Sequence, residues 1–409
     1  MTAPKRAVRR LAGARVVSLL GTGAANVALL ITMYERTGSA AWVSGTLVAT
    51  HGVQVFFALF TASLGDRFDR RRLMIACEVG GSACYAAMVF AHAPVALLTV
   101  ALFGAVVASP FHASSAAAIP NLVGPEHLSW ANSMVGVGRN LGMTFGPVLG
   151  GFITAAFGPG AVFGANAVSY LISAAVIATI HGRFSGLREG TEDHRIAAGL
   201  GFLWRDRLLR TLMLAEAVLV LGLGLIQVAR VPLVESFGLG SVALGLLDAL
   251  WGAGLLIGSL AARTLNARRE PVTFVVGLAG VAVATMAIGA SPWFVPIVGF
   301  NFLVGLADSM DLIAGQGIRQ RRTHDAVLSR VIAANSSICV VAQMVGYGAS
   351  GVLIPVIGPQ GIYLLCGLVV AASAVICVPA VRLARPAPKV VPEPPPEEAA
   401  HAQTHLPVT

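Results

Sequence analysis

Charge is what this sequence lacks most. Asp, Glu, Lys and Arg together make up 11% of its 409 residues and aromatic residues 7%, whereas a soluble domain carries about a quarter charged residues. A conventional water-facing surface is therefore excluded. Cysteine is also sparse. Cys77, Cys84, Cys339, Cys366 and Cys377 are scattered through apolar runs with no paired ligand spacing, which argues for small packing residues and against a disulfide framework or a zinc site. No GxxxxGK[ST] phosphate loop, no HExxH and no GxSxG occurs, so ATP-driven work at a Walker site and the familiar hydrolase chemistries lose their signatures. Neither an enzyme nor a bound cofactor is expected. The alternating strands of an outer-membrane barrel are missing as well.

What is abundant is apolar. Hydrophobic residues make up 56% of the chain, with 46 glycines, and the mean hydropathy is +0.79. Runs of the ~20 residues needed to cross a bilayer as helix recur along the chain. Twelve spans are predicted, at 16–34, 42–64, 73–93, 95–117, 131–153, 160–181, 209–231, 242–263, 271–290, 292–318, 331–354 and 360–381. The expected fold class is an all-α polytopic membrane protein, because a lipid-exposed backbone must satisfy its own hydrogen bonds. The basic start followed by an apolar run resembles a signal peptide, but that run has the length of a full span and reads as a first helix that stays.

Every Lys and Arg except Arg36, Arg139 and Arg230 falls in segments that share one side of the membrane if the N-terminus is cytoplasmic. That is the positive-inside bias. The net charge of +9 is thus a topology signal, and no nucleic-acid partner is expected. The chain divides into a basic cytoplasmic N-terminus (1–15), a six-helix half (16–181), a cytoplasmic linker (182–208), a second six-helix half (209–382) and a tail (383–409). Within the linker, Ile196–Trp204 is apolar enough for a short surface helix. The tail is proline-rich and acidic, with a disordered composition. An internal repeat supports the division: Ala-Asn-Ser recurs at 131–133 and 334–336, and "GMTFGPVLGG" (Gly142–Gly151) falls opposite "AQMVGYGASG" (Ala342–Gly351) with small residues at matching places. Two related halves suit a secondary transporter.

Between the second and third spans stands "ASLGDRFDRRRL" (Ala62–Leu73), which resembles the major facilitator superfamily signature Gly-x-Leu-Ala-Asp-Arg-x-Gly-Arg-Arg. Asp66, Arg67, Arg70 and Arg71 match it, while Ala62 and Asp69 replace its glycines. A drug-efflux (transmembrane secretion effector-like) subgroup reads Asp-Arg-x-Asp-Arg-Arg at this place. The resemblance implies a gating role: Asp66 would contact the eleventh span, and Arg67, Arg70 and Arg71 would latch the cytoplasmic ends of the two halves. The alternative is that the arginines only set orientation. In the fifth span, Gly142-x-x-x-Gly146-Pro147-x-x-Gly150-Gly151 is similar to the pattern of the family's antiporters, which implies export by exchange. Close packing of a glycine-rich helix is the plainer reading.

Ionisable groups inside spans are costly, roughly 2.5–3.5 kcal/mol each at mid-bilayer, so each is a candidate site. Asp308 and Asp311 lie three apart in the tenth span, with Asn301 on the face of Asp308. A pair of buried acids suits a proton carrier. Structural pairing is the alternative, since Arg139 lies at a depth close to that of Asp311. On this reading Asp311 and Arg139 form an inner gate pair and Asp308 exchanges the proton. Glu216, two turns into the seventh span, is a second coupling candidate. Asp248 is expected to pair with Arg230, and Glu78 to snorkel toward Arg70, Arg71 and Arg72. Asn26 stands in the first span near a position where related exporters often carry an acid, and is included in the cavity set. A lone His51 or His112 reads as a packed, hydrogen-bonded residue. Phe56, Phe57, Phe60, Phe103, Phe111, Trp251, Phe300 and Phe302 would give an aromatic cavity wall.

The expected function is export of a small amphipathic molecule, a drug, antibiotic or siderophore-like product, across the bacterial inner membrane in exchange for protons. The proton gradient would be the energy source and the unit a monomer in the bilayer. A metabolite importer and a non-transporting, transporter-like sensor are the rivals.

Overall fold

The computed structural model describes residues 3–61, 68–123, 128–180, 184, 196–261 and 269–382. Among them the regular structure is helical throughout: α1 Ala3–Thr37, α2 Ala40–Thr61, α3 Arg70–Phe90, α4 Pro94–Leu122, α5 Leu128–Phe157, α6 Pro159–Ala178, α7 Ile196–Arg205, α8 Arg207–Ser236, α9 Ser241–Ala261, α10 Glu270–Ala290, α11 Phe294–Arg322 and α12 Asp325–Arg382. The last runs through 58 residues but breaks at Gly358, whose φ of 70° is not helical, so it consists of two arms, 325–357 and 359–382. Nine helices among the described residues are long and apolar enough to cross a membrane. The twelve expected spans correspond to α1–α6, α8–α11 and the two arms of α12. The tail 383–409 and the signature residues Asp66 and Arg67 lie outside the described residues.

At the start of the chain, the basic residues 3–15 continue the helix of the first span as the beginning of α1. Among its arginines, Val8, Leu11 and Ala14 recur at helical spacing, and they are buried against Met74, Ile119, Ile177 and Phe184. Burial of that stripe extends the helix well before the apolar span begins.

Tight turns join the helices at the end of the bundle opposite the N-terminus, here the far end. Gly38 and Gly238 have φ of 59° and 69°, and Gly158 and Gly358 have 80° and 70°. Each pair is 200 residues apart, and Pro159 and Pro359 begin the next helix in the second pair. Left-handed φ is a conformation that glycine adopts without strain, so the turn glycines repeat because the halves repeat. At the near end two aspartates cap helices. Asp69, which departs from the family signature, accepts from Arg72 N (2.9 Å) at the start of α3. Asp206 accepts from Leu208 N (2.8 Å) and Leu209 N (3.0 Å) at the start of α8, satisfying donors that a helix leaves orphaned.

The halves meet along two seams, α5 against α9 and α2 against the first arm of α12. Within each half a glycine pair lets two backbones touch. A Cβ on Gly23 of α1 would stand 3.2 Å from Gly146 Cα of α5, and one on Gly224 of α8 would stand 3.3 Å from Gly346 Cα of α12. Side chains are excluded from such contacts.

Candidate functional site

A cavity of about 160 Å³ opens among α1, α2, α3, α4 and α6. It is lined by Arg15 and Asn26 of α1, His51 and Gln54 of α2, Glu78 of α3 and Tyr170 of α6. Tyr170 shares a hydrogen bond of 3.2 Å with Thr22 and stacks, tilted, on Tyr85 at 5.4 Å. His51 Nδ1 lies 3.1 Å from the Leu47 carbonyl, and its ring meets Tyr347 edge-on at 5.3 Å. That contact carries the cavity wall across to the other half.

Glu78 overturns its expectation. It does not reach back to the arginines at the start of α3. It is 1% exposed, faces the cavity, and its Oε2 has no hydrogen-bond partner. Arg71 donates instead to the carbonyls of Ala178 and Ile177 in the last turn of α6, where a helix end attracts a cation. Eight residues into α3, Glu78 is turned toward α1 and α6 rather than toward the near-end surface. Arg15, assigned to the cytoplasmic segment by the sequence, also lines the cavity; its Nη1 donates to Ser115 Oγ at 3.1 Å.

The second half holds a buried network that sequence reasoning only partly found. Glu216 accepts from Arg319 Nη1 at 2.5 Å and from Asn335 Nδ2 at 3.1 Å. Arg319 was grouped with the surface arginines, yet it is 7% exposed. Asn335 is the asparagine of the repeated Ala-Asn-Ser, the one sequence signal that pointed to it. Asp311, 2% exposed, has an unpartnered Oδ1, and its charged neighbours among the described residues are Asp308, Glu216 and Arg319. Its backbone N and Cβ lie where a Gly277 Cβ would be, at 2.7 and 2.9 Å, so it packs against α10 inside its own half. The side chain of Arg139, and with it the expected gate pair, lies outside the described residues. Asp308 is half-buried one turn away. Asn301 is buried and its Nδ2 donates to the Leu247 carbonyl of α9. Arg230 pairs with Asp248 and lies over the Trp251 ring at 5.8 Å.

The glycine motif of α5 divides its contacts. Gly142 lies on Leu19, Gly146 on Leu20 and Gly23, and Gly150 on Ala24, all of α1; Pro147 also touches Gly23. Gly151 turns the other way, and a Cβ there would meet the Ser241 carbonyl of α9 at 2.4 Å. The aromatic wall is smaller than expected: Phe111 lines the cavity, whereas Phe56 and Phe103 are exposed and Phe300 packs on the core of the second half.

Two repeated halves, the first holding a cavity with a few polar and charged side chains on its wall, are matched by a family model. The Major Facilitator Superfamily model covers residues 11–229 and 212–407. The chain belongs to this superfamily. Among curated relatives, an uncharacterized MFS-type transporter, YfiS of Bacillus subtilis (strain 168), is 27% identical over 320 residues, 74% of this chain and 76% of that protein. The enterobactin exporter EntS of Salmonella typhimurium (strain LT2) is 24% identical over 327 residues, 78% of each chain. Among solved structures, the nucleoside transporter NupG superposes with a TM-score of 0.72 at 12% identity, covering 94% of this chain and all of that one. An inward-facing, unoccupied bacterial homologue of the lysosomal transporter Spinster gives 0.69 at 13%, covering 93% of this chain and 96% of that one. Superfamily membership makes the chain a multi-pass membrane transporter, and efflux-type relatives stand among its sequence matches.

Proposed function

We propose that this transporter exports a small amphipathic molecule, siderophore-like or drug-like, across the bacterial inner membrane in exchange for protons, with both termini cytoplasmic. One observation carries the reading. One oxygen of a carboxylate, Glu78 Oε2, is buried without a hydrogen-bond partner on the cavity of the first half, and a second, Asp311 Oδ1, is buried in the other half. Charge held in a span with a hydrogen-bonding oxygen unsatisfied is costly, and uptake of a proton removes that cost. Glu78, Asp308, Asp311 and Glu216 are the groups on which protons are proposed to move. The likeness to the enterobactin exporter EntS supports export and a siderophore-like cargo. The cavity is below the ~300 Å³ of ordinary ligand pockets, so cargo would enter as it widens toward the near end, where Arg15 and Glu78 lie.

The test is dye efflux in inverted membrane vesicles with an imposed pH gradient. Accumulation of an amphipathic dye that depends on the gradient and collapses with an uncoupler is the expected result. Accumulation indifferent to the gradient removes proton exchange, and gradient-driven movement in the opposite direction makes the protein an importer.

A further inference from the structure

The repeat places a cation and an anion at matching positions of the two halves. Gly23 of α1 meets Gly146 and Gly224 of α8 meets Gly346. The carbonyl nearest Gly146 is that of Leu20, and the one nearest Gly346 is that of Leu221. These contacts superpose Gly23 on Gly224. Eight residues earlier in each helix stand Arg15 and Glu216, ~12 Å toward the near end. Farther along, Val27, Leu30 and Ile31 of α1 share one core with α8. The helices are joined toward the far end, so a rocking motion about that region moves Arg15 and Glu216 together or apart.

In this state Arg15 donates to Ser115 of α4 and lines the same cavity as Glu78, while Glu216 is held by Arg319 of its own half. Glu78 is faced by Arg15 and Ser18 of α1 and by Tyr170 and Ser173 of α6, with Cys77 beside it. His51 of α2 lines the same cavity. Glu216 is faced by Arg319, Asp308 and Asp311 of α11 and by Asn335 and Cys339 of α12.

We propose that Arg15 serves two carboxylates in turn: Glu78 of its own half in this state, and Glu216 of the other half when the near ends close. The inference rests on the proton exchange proposed above and supplies its coupling step. With the near end closed, Arg15 is drawn to Glu216, and Glu78, left without its cation, takes a proton from the open far side. When the near ends part, Arg15 returns to Glu78 and the proton leaves on the near side. One proton thus crosses toward the near side per cycle, and the cation in the membrane is never without an anion. Arg15 is a positioning residue; Glu78 holds the proton.

The test reads the distance between the near ends of α1 and α8 in the full chain. Spin labels go on cysteines introduced at Gly13 and Leu214, which are exposed and equivalent in the same register, in lipid nanodiscs with the native cysteines removed. In wild type the short-distance population should grow from alkaline to acid buffer. Glu78→Gln should show the acid distribution at both, Glu216→Gln should lose the growth, and Arg15→Lys, which keeps the charge, should retain it. A Glu78→Gln protein that still responds like wild type overturns the proposal, as does a Glu216→Gln protein that still closes in acid. Should Glu78→Gln fail to fold, Glu78→Asp must keep the response. Vesicle efflux measured in parallel separates the readings. Gradient-driven efflux without the Glu78-dependent distance change overturns only the arginine exchange, whereas efflux indifferent to the gradient overturns proton coupling altogether.

Discussion

Ser241, the first residue of α9, donates a hydrogen bond of 2.9 Å to the carbonyl of Gly151 in α5. Ser44 of α2 does the same to the carbonyl of Tyr347 in α12, at 2.6 Å. The halves are therefore stitched by a serine on each side of the repeat axis, both toward the far end. Such bonds hold in a bilayer because no water competes for them. Their positions match a molecule closed at the far end.

The seam gives the first prediction. A Cβ on Gly151 would meet the Ser241 carbonyl at 2.4 Å, and one on Gly351 would meet Ser44 Cβ at 2.7 Å. Gly151→Val and Gly351→Val should each wedge the far ends apart. A cysteine placed at Ser44, buried at present, should then react faster with a membrane-impermeant maleimide added from the far side. Unchanged labelling would show that the seam does not control far-side access.

Gly146 gives the second. A Cβ added there would stand 2.8 Å from the Leu20 carbonyl oxygen and 2.9 Å from Gly23 Cα, both backbone atoms of α1, so an added methyl has nowhere to go. Gly146→Ala should lower the unfolding midpoint in detergent and cost about 1–3 kcal/mol, the usual penalty of overpacking. Gly164 is the proper control, since a Cβ there meets nothing within 4 Å; Gly158 is not, because its φ of 80° strains any side chain. Equal losses at 146 and 164 would mean that general helix propensity was being measured.

The helices were legible in the sequence and their faces were not. An expected span at 271–290 coincides with Glu270–Ala290 because crossing a bilayer demands a length of apolar residues that composition alone reveals. Which way each side chain points is a different matter. Lipid and protein interior are both apolar, so no amphipathic stripe marks the inward face. Glu78 was thus placed correctly along its helix and wrongly around it, and Arg15 and Arg319, read as surface charges just outside their spans, turn out to face inward. Asp248 with Arg230 succeeded because opposite charges so near one end leave few alternatives. The helical start of α1 went unread because its arginines hid the buried stripe of Val8, Leu11 and Ala14.

The third prediction separates latch from cap in the signature loop. Arg71 binds carbonyls at the end of α6 within its own half, so Arg71→Ala should cost ~0.3–1 kcal/mol of stability and reduce transport only as far as folded protein is lost. If Asp66 makes the moving contact with the eleventh span that the signature implies, Asp66→Asn should leave membrane abundance and melting unchanged and cut efflux severely. Near-normal efflux from Asp66→Asn at equal abundance reduces the loop to an orientation signal.

A buried ion pair gives the fourth. Removing one member of a buried pair leaves the other charge uncompensated and costs about 3–5 kcal/mol. Arg319→Gln should therefore destabilise the second half strongly by retaining Glu216 without its cation, whereas Arg319→Gln with Glu216→Gln should recover much of the loss. Thermal unfolding of both variants decides it. Additive losses would show that the pair is not coupled in the folded protein.

Asp308 and Asp311 should divide their work, and their surroundings now say how. Asp311 is packed against α10 with Arg319 and Glu216 close by, a position from which a side chain cannot move without disturbing the network around it. Asp308, one turn nearer the far end, is half-buried and better placed to meet solvent as the cavity opens. Asp311→Asn should lower stability and efflux together, because the amide adds donors where only one buried oxygen lacks a partner. Asp308→Asn should fold normally, bind a fluorescent substrate with near-normal affinity, and lose gradient-driven efflux from inverted vesicles. Efflux retained in Asp308→Asn would remove that acid from the proton path and leave Glu78 as the group that carries it.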